Sequence, residues 1–171
     1  MIDATKAFLV LFAASLLQLA VLTEYRPFRT ASVVLVTLLS IALLRGSVFG
    51  AIAGFGTGLL LDTATLGTLG VTSLLLTIGG FWIGRYGETT ARDRFHAPFL
   101  SVAVVTVLFL FGQLLLQFVL GEPAPAGLVA NGVPGALVLN LLLTLPVYAL
   151  ARRLFPPLEL GDRIREVRLL G

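Results

Sequence analysis

The stretch RGSVFGAIAGFGTGLLLDTATLGTLG, Arg45 to Gly70, decides how this chain is read. Between Arg45 and Asp62 there is no charge, and Gly46 to Leu61 reads as a helix rising roughly 24 Å at about 1.5 Å per residue. Gly46, Gly50, Gly54 and Gly58 recur every four residues, so they fall on one stripe, with Ala53 and Gly56 beside it. In water each glycine inside a helix costs about 1 kcal/mol, so four at this spacing need a reason. The reason is close approach. Where no Cβ stands, another helix can pack backbone to backbone, and such packing drives association in lipid, where burying apolar surface gives no net gain. The stripe predicts either packing against another helix of this chain or an interface for a partner. Asp62 ends the helix, where the dipole disfavours an anion. It reads either as a cap for the turn at Thr63 to Thr65 or as a contact to a partner or polar group at the outer surface.

The rest of the chain fits this setting. Of 171 residues, 57% are apolar and only 12% charged, with 18 glycines besides. A soluble domain has roughly 45 to 50% apolar and about 25% charged residues, so a soluble globule is excluded. Disorder is excluded too, since it needs low hydrophobicity. With no Cys there is no disulfide, thiolate metal site or Cys nucleophile. One His and scattered acids leave metal chemistry unsupplied. The twelve basic residues stand singly or in pairs between apolar runs, which is a membrane pattern and not a nucleic-acid one.

A charge at the bilayer centre costs at least about 2.5 kcal/mol, so charges divide the chain into six apolar stretches. These are Ala7 to Thr23, Thr30 to Leu44, Gly46 to Leu61, Gly67 to Gly84, Ala97 to Leu120 and Gly132 to Ala151, the last with a kink expected at Pro146. The fold class is all-α integral membrane, with six transmembrane helices over residues 1–155 and a short basic tail over 156–171 lying at the inner headgroup layer. Charged residues 85–96 read as a cytoplasmic loop and residues 121–133 as an outer one. If both termini are cytoplasmic, Lys6, Arg45, Arg85, Arg92, Arg94, Arg152, Arg153, Arg163, Arg165 and Arg168 lie inside, and only Arg26 and Arg29 lie outside. That asymmetry fixes the orientation. Trp82, Tyr86 and Tyr25 suit interfacial aromatic belts.

Polar side chains recur in helical register: Ser15 with Gln18, Gln113 with Gln117, and Asn140 with Thr144, besides Thr57. Each pair shares a face that should point into the bundle, either to bond between helices or to line a solute cavity. Catalysis has little to stand on, because no carboxylate lies mid-membrane and no nucleophile, base and acid can be assembled. No cofactor is implied, and the chain reads as a non-enzyme.

The run LRGSVFGAIAGFGTGLLLD from Leu44 to Asp62, Arg26-Pro27 before the second stretch and Leu69-Gly70 after the third resemble the bacterial rod-shape-determining MreD family over nearly the whole chain. The resemblance implies a scaffold in the bacterial cytoplasmic membrane, binding an MreC-like partner in a complex with MreB, RodA and a class B penicillin-binding transpeptidase, and guiding cell shape and sidewall peptidoglycan synthesis. It places Gly46, Gly50, Gly54, Gly58 and Asp62 as candidates for that partner's groove. The family is also similar to the six-helix S components of energy-coupling-factor vitamin transporters, which makes a solute-binding protein the alternative. Against it, the first stretch lacks Ala-x-x-x-Ala spacing: Ala13 and Ala14 meet Leu17 and Gln18.

Overall fold

A computed structural model describes residues 2–22, 32–66, 68–89, 96–121 and 126–155. They form six helices: α1 (Ile2–Leu17), continued by a π-helical turn (Gln18–Leu22), α2 (Val33–Arg45), α3 (Ser47–Ala64), α4 (Val71–Thr89), α5 (Ala97–Val119) and α6 (Ala126–Leu154). No strand occurs among the described residues. Tyr25, Arg26-Pro27 and the tail from Pro156 lie outside them.

The bundle is organised around α2. Its sequence VVLVTLLSIALL is apolar on every face, and all twelve residues from Val33 to Leu44 are buried. Each of the other five helices packs against it. A helix apolar all round belongs in an interior. Its hydroxyls are consumed locally: Thr37 donates to the Val33 carbonyl and Ser40 to that of Val36, both at 2.7 Å. Leu11 of α1, Leu76 of α4, Val102 and Val105 of α5, and Phe155 complete the core.

The outer surface is apolar as well. Phe8 and Phe12 on α1, Val48, Ile52 and Phe55 on α3, Trp82 on α4, and Leu108, Phe111 and Leu115 on α5 are all exposed. Patches of this extent do not face water in a monomeric soluble protein. Three helical segments are long and apolar enough to cross a membrane: Ser47–Ala64, Ala97–Val119 and Asn131–Leu154. Ala4–Ala20 and Val33–Arg45 are shorter apolar helices.

Two expected loops are shorter than the charge pattern suggested. α4 continues through Arg85 to Thr89, because Arg85 and Glu88 pair at i, i+3 on its surface. α6 starts at Ala126, well before Gly132, so residues 126–133 belong to the helix and not to the outer loop. α6 then runs on through Pro134 and Pro146 without ending at either. In a membrane bundle, neighbouring groups can re-satisfy the carbonyls that proline frees.

Candidate functional site

The closest helix pair is α3 with α4, joined antiparallel along the glycine stripe. A Cβ built on Gly50 would stand 2.8 Å from the Gly80 carbonyl carbon, one on Gly54 2.7 Å from that of Leu76, and one on Gly58 2.6 Å from the Ser73 nitrogen. The fit is mutual, since a Cβ on Gly80 would meet the Gly50 carbonyl carbon at 2.7 Å and one on Gly84 would meet Ser47 Cα at 2.6 Å. In each case the obstacle is backbone, which cannot rotate away. α-Hydrogens therefore point at carbonyls across the seam, a recurrent weak hydrogen bond at close helix crossings. Gly46 adds a second role: its φ of +103° turns α2 directly into α3 in a backbone region that only glycine tolerates. The stripe, read from the sequence as either packing within the chain or an interface for a partner, is filled by α4. Gly56 differs, because nothing lies within 4 Å of its Cβ position. It sits among the exposed Val48, Ile52, Phe55 and Leu59 on the outward face of α3.

An acid closes each end of this seam. Asp62 is buried at 3% exposure, and its carboxylate accepts from the backbone N–H groups of Gly70 at 2.8 Å, Thr72 at 3.2 Å and Ser73 at 3.3 Å. It therefore caps the start of α4, not the turn at Thr63 to Thr65 that the sequence suggested. Thr63 and Thr65 instead donate their hydroxyls back to the carbonyls of Leu59 and Leu61. An anion disfavoured by the dipole of its own helix is favoured by the N-terminus of the next. At the other end, Glu88 of α4 accepts from the Ser47 N–H at 2.8 Å and the Ser47 hydroxyl at 3.0 Å, capping the start of α3. The Ser47 N–H chiefly holds the Glu88 carboxyl below its usual pKa; burial opposes this, and the Ser47 hydroxyl and Arg85 reinforce it.

A second polar cluster holds the N-terminus of α2. Ser32 is its cap, accepting from the Leu35 N–H at 3.2 Å. Gln18, in the π-helical turn after α1, accepts from the Val34 N–H at 3.0 Å. Asn140 of α6 accepts from the Ser32 N–H at 2.8 Å and donates to the Thr106 hydroxyl at 3.0 Å. Two side chains from distant helices thus satisfy donors that a helix start leaves open. Thr144 donates to the Asn140 carbonyl and Ser15 to the Leu11 carbonyl, both within their own helices. Gln113 and Gln117 are partly buried on α5 and make no side-chain hydrogen bond among the described residues, so they do not join this cluster.

Sequence reasoning missed Ser32, Ser73, Glu88 and Thr106. A signal for the α4 half of the seam was present, since Gly80 and Gly84 follow Ser73 at helical spacing. At the opposite rim the Arg45 guanidinium lies 5.4 Å from the Phe155 ring centroid, and that of Arg152 lies 6.0 Å from the Tyr148 ring. The described residues contain no group of three His, Cys, Asp or Glu that could hold a metal ion. Most of the buried polar groups cap helices or bond to their neighbours, which is the chemistry of assembly.

A family model described as rod shape-determining protein MreD matches residues 4–154, the span of all six helices. The chain belongs to the MreD family. No curated protein and no solved structure matches it. For this MreD-family protein the match implies a place in rod-shape determination, and the family is a membrane one. Membrane residence agrees with the three helical segments apolar and long enough to span a bilayer and with the apolar outer surface.

Proposed function

We propose that this MreD-family protein is a non-enzymatic scaffold of the cell-elongation complex, a multi-pass protein of the bacterial cytoplasmic membrane whose six helices return both termini to the cytoplasmic side. It binds the transmembrane helix of an MreC-like protein, and through that complex, with MreB, RodA and a class B penicillin-binding transpeptidase, it helps control sidewall peptidoglycan synthesis. The observation that carries this reading is the family match over residues 4–154. An exposed apolar face of the bundle supports it. Because α4 occupies the glycine stripe, the docking surface is the outward side of α3, where Val48, Ile52, Phe55 and Leu59 flank Gly56. Gly56 lets a lipid-embedded helix approach closely at that point.

Copurification with the MreC-like protein in mild detergent tests this. Gly56→Leu should leave the bundle folded, since the position is open, and should reduce partner recovery at least about tenfold, the effect of about 1.4 kcal/mol. Full partner recovery by a folded Gly56→Leu protein would remove this face from the interface.

A further inference from the structure

The two sides of the bundle differ in height. At about 1.5 Å per residue, α5 with 23 uncharged residues rises roughly 35 Å and the uncharged residues 131–151 of α6 roughly 32 Å, enough to cross a hydrocarbon core of about 30 Å. The α3–α4 pair is shorter: Ser47–Ala64 is the shortest of the three segments that can cross, and it spans only a bilayer thinner than that. From its inner charged end at Gly46, Arg85 and Glu88, α3 rises at most about 27 Å over Ser47–Ala64. The uncharged part of α4, residues 71–84, rises at most about 21 Å, and any tilt shortens both.

The turn between them is built for an apolar surrounding. No charged residue occurs between Asp62 and Arg85. Leu66 and Leu69 are 93% and 66% exposed at the tip, and Leu66 is held at a φ of +53°, unusual for a side chain of its size. Several of the polar groups around them, among the described residues, are satisfied from within. Asp62 accepts three N–H groups, the Thr65 N–H bonds the Leu61 carbonyl, and the Val71 N–H that of Thr68. The hydroxyls of Thr63 and Thr65 turn back onto their own helix. Water imposes no such requirement on a surface turn, whereas hydrocarbon does.

We propose that the α3–α4 hairpin enters from the cytoplasmic side, turns within the outer leaflet, and presents Leu66 and Leu69 to lipid acyl chains. The bundle is then a wedge, tall at α5 and α6 and short at α3 and α4, and the outer leaflet thins against its short side. The proposal rests on the membrane-embedded reading above. Because the hairpin goes up and comes back, it leaves the side of the termini unchanged.

The chain contains no cysteine, so single cysteines can be labelled with bimane in the full-length protein in phosphatidylcholine vesicles. Leu66→Cys and Leu69→Cys are the test positions, Leu108→Cys on the outward face of α5 is the lipid reference, and Ala124→Cys, outside the described residues, is the aqueous reference expected from the Pro- and Ala-rich sequence. Phosphatidylcholine with brominated acyl chains should quench the label at position 66 as strongly as at 108 and at least about twofold more than at 124, with aqueous iodide giving the reverse order. Iodide quenching at 66 equal to that at 124 would overturn the proposal, and so would protection of 66 from both quenchers, which would mean protein covers the tip. If Leu66→Cys fails to fold because of its backbone conformation, Leu69→Cys carries the same test with the same outcomes. If bromolipid also fails to quench position 108, the embedded reading falls first and this proposal with it.

Discussion

The sharpest consequence of the α3–α4 seam is that two glycines a half-turn apart should respond to the same substitution with opposite signs. In Gly54→Ala the new methyl would lie 2.7 Å from the Leu76 carbonyl carbon and 3.0 Å from the Thr77 nitrogen. Carbon atoms in contact prefer about 3.5 to 4.0 Å, so the helices must part by roughly 1 Å. Overpacking of that kind costs about 1 to 3 kcal/mol. Parting the seam also loses Cα–H···O contacts worth about 0.5 to 1 kcal/mol each. Against this, alanine gains about 1 kcal/mol of helix propensity. The net expectation is a loss of about 1 to 3 kcal/mol. Gly56→Ala meets nothing within 4 Å and keeps only the propensity gain, so it should be neutral or stabilising by up to about 1 kcal/mol. For a chain of this size each kcal/mol moves Tm by about 2 to 4 °C. Trp82, the single tryptophan, lies on α4 and reports unfolding by fluorescence in mild detergent. A Gly54→Ala protein melting at or above the Tm of Gly56→Ala would refute the close-packed seam.

Asp62→Ala strands the N–H groups of Gly70, Thr72 and Ser73. It should cost on the order of 3 kcal/mol, because each buried donor left without an acceptor costs about 1 to 3 kcal/mol; Asp62→Asn should recover part of the lost Tm through its one carbonyl oxygen. Glu88 has a lowered pKa in the folded chain, so its contribution is complete above the unfolded value of 4.5 and is lost as pH falls through the lower folded one. Thermal melts taken down through that range should therefore show a smaller decline for Glu88→Gln than for the unaltered chain, and parallel declines would mean the cap contributes nothing. Single cysteines at Thr90 and Ala124, which both lie outside the described residues, should react with an impermeant maleimide from the cytoplasmic and outer sides respectively. Labelling in the reverse sense would overturn the orientation.

Much of the architecture was legible from where charge is absent. Ala97 to Leu120 was expected as a helix and Ala97–Val119 is one, because the run is long, unbroken and introduced by Pro98 in the first turn. The ends of α4 and α6 were misplaced. Charge marks where a chain leaves lipid, but the backbone can continue as helix beyond that point, as α4 does through Arg85 and Glu88 to Thr89. Residue type alone also identified Gln18 and Asn140 as inward polar groups. It could not show that both serve one helix start, since Asn140 and Ser32 are 108 residues apart.

By itself, then, the sequence determined the solvent, the helical class and the small-residue stripe, since each is a property of composition or of a single helix's period. Which surfaces meet was decided only in three dimensions. Gly50 meets Gly80, Asp62 caps the helix after its own, and the uniformly apolar α2 takes the centre while equally apolar α5 turns residues outward. In lipid an apolar face gains nothing from burial, so hydropathy cannot rank one helix as inner and another as outer. Close backbone fit and the pairing of open N–H groups make that choice, and both need two helices to be defined.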